Sequence, residues 1–354
     1  MENLVEQKNN PLADDLDHIL AHTTDLWNEF RNQRIFITGG TGFFGCWLLE
    51  SFVWANDRLG LNASALVLTR NPDRFRKKAP HLSVNPAINF HVGDVKDFDF
   101  PIGNFSYIIH ASNEALDYMK EQNGRLMINH MTKAAKHVLD FAKICVAKKI
   151  LFTSSGTVYG PQPPDMSCIS EDYIGSRNID DFRHAHGEGK FKVELLFSEY
   201  AKNYNIEAKI ARSFSFLGAY LPLDNNYAAG NFIRDGLNGG PIIVKGDGKP
   251  YRSYLYAADL IAWLWTILFK GESARPYNVG SVEPITIGDL AQRIALAFPN
   301  PIEVMIAKSP ISGQRNEMYV PDTKRAQKEL NLHQWISLEE GIKRTIKWHA
   351  RQER

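Results

Sequence analysis

Gly39, Gly42 and Gly45 are spaced three apart and follow directly on the apolar run Arg34-Ile35-Phe36-Ile37-Thr38. Behind them Trp47, Leu48, Leu49, Phe52 and Val53 recur at helical spacing. A strand, a glycine turn and a helix in this order are suited to holding a diphosphate. Gly39 permits the tight turn, Gly42 lets backbone amides approach a pyrophosphate, and Gly45 lets the helix pack closely on the strand. The helix N-terminus then presents N–H donors and a partial positive charge to the anion. Thr41, Phe43 and Phe44 complete the loop and would line the same ligand. A glycine triplet alone is a weak signal; in this strand–turn–helix setting it is a strong one for a dinucleotide.

Two further groups could do chemistry. The next apolar run ends at Thr69-Arg70, where an NAD site ordinarily has an acid for the ribose 2′-hydroxyl. Arg70, with Arg74 and Arg76 nearby, suits a 2′-phosphate instead, so NAD(P) is expected with NADP favoured. Asp94, in Gly93-Asp94-Val95, has the chemistry to accept from an adenine amino group, and equally that of an ordinary turn aspartate. Farther on, His186 stands four residues before Lys190, which puts both on one helix face. An imidazole with its usual pKa of about 6.5 is a general base without assistance, and a nearby ammonium would favour its neutral form. Gly187 and Gly189 each cost about 1 kcal/mol inside a helix. They imply a close approach to a bound ligand, or a helix that starts only there.

These groups need a scaffold to position them. Arg34–Thr38, Ala65–Thr69, Ile88–Val92, Tyr107–His110, Lys149–Thr153 and Ala208–Ala211 read as strands, with helical patterns between. That alternation predicts a Rossmann-type α/β fold, a doubly wound parallel sheet covered on both faces. After about residue 213 the rhythm turns irregular, which predicts a smaller C-terminal α/β substrate lobe from 214–250 and 280–354. The dinucleotide domain would span 34–213, with a return segment at about 251–279. Ahead of it, 1–10 reads as a frayed tail. Leu12, Leu16, Ile19 and Leu20 then lie at helical spacing, and Thr24 could cap a second helix carrying Leu26, Trp27 and Phe30. We read 1–33 as an appended helical arm.

Composition sets the bounds. The 354 residues are 44% hydrophobic and 23% charged, which excludes disorder, a fibre or a coiled-coil rod. Lys plus Arg number 41 against 40 Asp plus Glu, a net charge of +1, so no basic excess points to nucleic acid. The three cysteines, Cys46, Cys145 and Cys168, are too few and too far apart for a disulfide framework. The longest apolar stretch, Leu260–Phe269, is half of the roughly 20 residues a membrane span needs and reads as a buried helix. Met1–Pro11 is polar and does not read as a signal peptide, so a cytoplasmic protein is expected.

The wider pattern resembles the extended short-chain dehydrogenase/reductase family, in its nucleotide-sugar epimerase, dehydratase and decarboxylase branch. The motifs that carry the resemblance are the glycine loop, Ser154-Ser155-Gly156-Thr157-Val158-Tyr159-Gly160, His186-Gly187-Glu188-Gly189-Lys190 and Arg212-Ser213-Phe214-Ser215-Phe216-Leu217-Gly218. Gly246-Asp247-Gly248, Tyr251-Arg252-Ser253-Tyr254, Asp259, Tyr277-Asn278-Val279-Gly280, Leu338-Glu339-Glu340-Gly341 and Trp348 extend it over about residues 34 to 350. It implies a hydroxyl role for Ser155 and, for Lys190, contact with the nicotinamide ribose. It implies that Val95, His110, Ala111 and Ser112 line the cofactor. Arg252 and Arg315 would hold the diphosphate of a nucleotide-sugar, with Asn231 near its base and Ser155, Thr157 and Ser215 facing the sugar. Ser215 replaces the family's usual Asn. A homodimer through a four-helix interface is also implied, and Met127, Met131, Val138 and Phe141 could belong to it or to the core.

One departure bears on the chemistry. His186 stands where the family has its catalytic Tyr. An imidazole nitrogen ends about 2 Å short of a Tyr hydroxyl, enough to break a direct contact. Three readings stay open: a working His variant, a knocked-down enzyme, or a binding protein without turnover. Gly156 and Thr157 stand where the dehydratase and decarboxylase branches carry an acid, which resembles the epimerase arrangement. Tyr159 reads as positional. The expected activity is NAD(P)-dependent epimerisation through transient oxidation at sugar C4. A keto-sugar reductase, toward which Arg70 pulls, and a dehydratase or decarboxylase are the alternatives.

Overall fold

Each of the apolar runs forms a strand, and helices fill the segments between them except 93–106, which joins two strands through turns without a helix. The computed structural model describes residues 10–112, 123–175, 182–224, 227–310, 313 and 316–352. It opens with α1 (Ala13–Thr23) and a 3-10 turn (Thr24–Phe30), followed by β1 (Arg34–Thr38), α2 (Phe43–Leu59), β2 (Ser64–Thr69), α3 (Pro72–Lys78), α4 (Pro80–Ser83) and β3 (Ile88–Val92). Next come β4 (Tyr107–His110), α5 (Gly124–Ile144), β5 (Lys149–Ser155), a 3-10 turn (Gly156–Tyr159), α6 (Phe182–Asn203) and β6 (Glu207–Ser213). The remainder is β7 (Phe216–Leu217), α7 (Ala228–Leu237), β8 (Ile242–Val244), β9 (Tyr251–Arg252), β10 (Leu255–Tyr256), α8 (Ala257–Lys270) and β11 (Pro276–Val279), then β12 (Ile285–Thr286), α9 (Ile287–Leu296), β13 (Val304–Ile306), β14 (Met318–Tyr319), α10 (Lys324–Leu330) and α11 (Leu338–Gln352).

The main sheet has seven strands in the order β11-β6-β5-β4-β1-β2-β3. Its ladders from β3 through β6 are all parallel. Strand order reverses at β1, which lies between β2 and β4, so the ends of β1 and β4 form the switch point where such sheets bind ligands. The fold is therefore the Rossmann-type α/β fold expected. Strands β5 and β6 run longer than their apolar runs, because Ser154 and Ser155 stay in register with Arg212 and Ser213.

The chain divides into two compact units. The first comprises 1–160, 176–213 and 261–277. On one sheet face, Met127, Met131, Val138 and Phe141 of α5 pack with Phe36, Ile108, Phe152 and Phe197 in a buried cluster, so these α5 residues belong to the core. On the other face the arm is built in rather than appended. Leu16, Ile19, Trp27 and Phe30 are buried. The Phe30 ring lies 4.7 Å from Tyr107 and 5.0 Å from Phe269, and Trp27 lies 5.1 Å from Trp265. Lys149 Nζ donates to Glu29 Oε2 at 2.9 Å and ties the arm to the start of β5. Thr24 does not cap the second turn. Its hydroxyl donates back to the Leu20 carbonyl at 2.7 Å, because α1 runs into the 3-10 turn without a break. Trp263, Trp265 and Phe269 are buried core, as expected of an all-apolar helix. Among the described residues no helix is long and apolar enough to cross a membrane.

The second unit comprises 161–175, 214–260 and 278–354. Its sheets are small: β10-β7, β12-β9-β14 and β13-β8. Buried polar side chains hold the connections where short strands cannot. The Asp259 carboxylate accepts from the N–H groups of Trp335 and Ile336, both at 2.9 Å. Asn278 donates to the Ile169 and Asp322 carbonyls at 2.8 and 3.0 Å, and its own N–H donates to Glu171.

Candidate functional site

The glycine turn between β1 and α2 separates the needs of the fold from those of a ligand. Gly39 has φ +70°, and a Cβ on it would lie 2.4 Å from the Ala111 carbonyl carbon. A Cβ on Gly45 would lie 2.3 Å from Gly39 O and from Gly40 backbone. Both positions must be glycine for the chain to fold this way. Gly42 differs: its backbone is extended, and a Cβ there would meet only Gly39 O, at 3.3 Å. No side chain caps α2 at Gly42. A diphosphate laid against that helix start fits this arrangement, since it needs both the room at Gly42 and the uncapped donors. Lys78 Nζ donates to the Thr41 carbonyl at 3.0 Å and brings a cation to the loop that sequence reading did not single out.

Neighbouring positions sort into exposed and buried groups. Arg70 is exposed at the end of β2, and Asn71 beside it is used as the cap of α3, accepting from Arg74 N at 3.0 Å. The next acid along the chain, Asp73, is ion-paired with Arg76. Asp94 Oδ1 accepts from Lys96 N at 3.1 Å, which is turn chemistry; Val95 beside it is half-buried. The His110 side chain is buried, with Nδ1 2.8 Å from Thr38 Oγ1. Burial, and then the Lys190 ammonium, push its pKa down to about 3. At the same strand end Ala111 and Ser112 are half-buried.

The second cluster forms where β5 ends. Ser155 Oγ accepts from Thr157 N at 3.2 Å and lies 2.9 Å from Thr157 Oγ1. Thr157 Oγ1 in turn lies 3.1 Å from His186 Nδ1. His186 Nε2 is buried, with no hydrogen-bond partner among the described residues. Burial and then Lys190 push the ring's pKa down to about 3, so it is neutral at physiological pH. One turn on, Lys190 is buried; its Nζ donates to Thr153 O at 3.0 Å and sits 4.8 Å over the Phe152 ring. Ser155, His186 and Lys190 are thus brought together, and Thr157 is the link between the first two.

One sequence expectation changes here. Gly187 and Gly189 lie well inside α6 rather than at its start. A Cβ on Gly187 would lie 2.1 Å from Thr157 O, and one on Gly189 2.6 Å from Met131 Sδ. The glycines let α6 press against the 3-10 turn and α5; the close approach is to protein. A network was also missed. Glu194 accepts from Ser154 Oγ at 2.5 Å and pairs with Arg212 at 2.7 Å, and Arg212 Nη1 donates to Tyr159 Oη at 2.9 Å. Tyr159 is held in this buried network, which makes it positional. The signal was present: His186, Lys190 and Glu194 continue the spacing of four along one face.

In the second unit the expected ligand residues sit on separate elements. Arg252, in β9, is half-buried; its Nη1 donates to Tyr251 O at 2.8 Å, and its guanidinium pairs with Glu317 at 3.5 Å. Asn231 is half-buried in α7 and accepts from Arg234 at 3.2 Å. Ser215 is half-buried beside β7, and its carbonyl accepts from Leu255 N at 3.0 Å. Arg315 lies outside the described residues.

A model of the NAD dependent epimerase/dehydratase family matches residues 35–280. The chain belongs to that family. It is 27% identical over 311 residues to UDP-glucuronic acid decarboxylase 6 of Arabidopsis thaliana, covering 88% of this chain and 87% of that protein. It is also 27% identical to UDP-glucuronic acid decarboxylase 1 of Danio rerio, covering 92% and 74%. Among solved structures, a UDP-glucose 4-epimerase of Thermotoga maritima superposes with a TM-score of 0.75 at 18% identity, covering 91% of this chain and all of that one. A UDP-glucuronic acid 4-epimerase of Bacillus cereus, solved with UDP-glucuronic acid and NAD, gives 0.73 at 19% identity. At these identities the solved structures establish the fold.

Membership makes this an NAD(P)-binding chain of the nucleotide-sugar epimerase and dehydratase family. Within that family its own geometry can do two things. The β1–α2 turn can hold a dinucleotide diphosphate. The Ser155–Thr157–His186 chain can present a neutral nitrogen and a hydroxyl beside a buried ammonium.

Proposed function

We propose that the protein is an NAD(P)-dependent epimerase acting at C4 of a nucleotide-diphosphate sugar, with His186 as its general base. The observation that carries this reading is the hydrogen-bonded array Ser155–Thr157–His186, one helical turn from Lys190, with glycine and threonine rather than a carboxylate at 156 and 157. The dinucleotide, when bound, accepts and returns a hydride. The chain's own groups do the rest. As the C4 hydride leaves, the C4 hydroxyl proton passes to His186 Nε2, and Ser155 donates to the oxygen that becomes a carbonyl. Return of the hydride to the opposite face, with the proton returned to oxygen, inverts C4 and consumes nothing. Burial, and then Lys190, keep the imidazole neutral, with a lone pair free in the resting state. Arg70 favours NADP, since no acid stands at the end of β2. Arg252 and Arg315 are the cations assigned to the sugar diphosphate, with Asn231 and Ser215 near its nucleotide and sugar ends.

A second reading, decarboxylation, is favoured by the relatives, which are UDP-glucuronic acid decarboxylases alike along most of the chain. It shares the first half-reaction, because oxidation at C4 makes the acid a β-keto acid that can lose carbon dioxide. One experiment separates the readings. The native protein, His186→Tyr and His186→Ala are assayed by product NMR with UDP-, dTDP-, GDP- and CDP-sugars, UDP-glucuronic acid included. Inverted C4 supports the epimerase. Loss of carbon dioxide supports the decarboxylase. Turnover by the Tyr variant alone marks the native chain as a knock-down, and inertness of both native and Tyr proteins overturns the enzymatic reading.

A further inference from the structure

The hydrogen bonds around Thr157 can be counted, and the count has a chemical consequence. A hydroxyl has one proton and two lone pairs. Ser155 Oγ already accepts from Thr157 N. Two arrangements satisfy the remaining contacts. In the first, His186 Nδ1–H donates to Thr157, Thr157 donates to Ser155, and the Ser155 proton points away from both. In the second, Ser155 donates to Thr157, Thr157 donates to Nδ1, and the ring proton sits on Nε2.

Nε2 decides between them. It is buried and has no acceptor among the described residues. An orphaned buried N–H is rarer and costlier than an under-satisfied acceptor. The second arrangement would strand a buried donor without an acceptor; the first leaves only a lone pair there.

We propose that Thr157 is a positioning residue for His186: its hydroxyl accepts from Nδ1–H, fixes the tautomer with a bare Nε2, and passes the donor direction on to Ser155. This is the opposite of the tautomer that free histidine prefers in water. It rests on His186 being the base of the proposed reaction, and it gives Thr157 a role other than the sugar contact expected from sequence. When Nε2 takes a proton, Nδ1–H remains bonded to Thr157, so the imidazolium is held in line. Ser155 is left with its one proton free for a substrate oxygen.

The test reads the tautomer directly. Full-length protein carrying 15N-histidine is examined by two-bond 1H–15N correlation NMR, with His186 assigned through His186→Gln. The native ring should show the Nδ1–H pattern. Thr157→Val should shift it to the Nε2–H pattern, and Thr157→Ser should restore the native one. In turnover, Thr157→Val should lower kcat by about 100-fold or more with KM little changed, up to the roughly 10⁴-fold that a wrong tautomer costs in a catalytic triad, and Thr157→Ser should recover it. A native ring with its proton on Nε2, or one that the Val variant leaves unchanged, overturns the proposal. An inert protein whose ring still shows Nδ1–H and the Val and Ser responses overturns the proposed reaction and leaves the tautomer assignment standing.

Discussion

At the scale of single residues, the proposed chemistry turns on a histidine held neutral. His186 reaches about pKa 3 through burial and Lys190, so its protonation lies far below physiological pH. A base in that state does not switch off near pH 6.5. Under the proposed reaction, kcat/KM should stay level from pH 8 down to about 5, and a profile that falls through pH 6.5 would show an ordinary solvated imidazole. Arg70 carries the second residue-scale prediction. Arg70→Asp places an acid at the end of β2 and should reverse the cofactor preference, weakening NADP by at least about tenfold while NAD gains; isothermal titration of both dinucleotides checks it. The His186–Lys190 pair and the glycine spacing were legible because their spacing is local. The Thr157 link was not, because it joins residues 29 apart in sequence that meet only when β5 and α6 are in place.

At the scale of elements, glycine placement tells which contacts are protein and which are ligand. Gly187→Ala would drive a Cβ into the backbone at Thr157 O, so α6 must move. We expect a loss of about 1–3 kcal/mol in denaturant unfolding, the range of overpacked sites, together with disruption of the His186–Thr157 contact. Gly42→Ala is the counterpart. Its Cβ meets a single atom at 3.3 Å, so stability should stay within about 0.5 kcal/mol of native, while dinucleotide affinity should fall at least about tenfold. Equal losses of stability at both positions would contradict the distinction. The strands were readable because each is a short apolar run flanked by helical periodicity. Their polar ends were not: Ser154, Ser155, Arg212 and Ser213 are in strand because of ladder pairing, which no local pattern shows. Gly187 and Gly189 were misread for a related reason, since the sequence shows that a close approach exists and not what approaches.

At the scale of the whole molecule, stability is tied to acid and to the arm. His110 and His186 have pKa values pushed down to about 3, and His349 to about 4, each chiefly by burial. In the unfolded chain all three take up protons near pH 6.5. Between those limits the unfolded state binds more protons, so stability rises with pH and is lost as pH falls from about 6.5 toward 3. The urea midpoint should drop across that window, and His110→Gln or His349→Gln should flatten the slope even where it lowers the plateau. The arm carries the last prediction: Trp27→Ala should cost about 3–5 kcal/mol, measured by the same unfolding, because the indole is fully buried between Phe30 and Trp265. Its hydrophobic spacing was legible, and its partners were not, since they lie in α8. That separation has a consequence for biosynthesis. Trp265 Nε1 donates to Ser51 Oγ across 214 residues of chain, and the segment 261–277 is the last piece of the first unit. A ribosome releases Trp27, Phe30 and Phe52 long before it makes the helix that covers them. The nascent chain must therefore carry an open aromatic wall through most of its synthesis, a natural client for a holding chaperone until residue 277 has emerged.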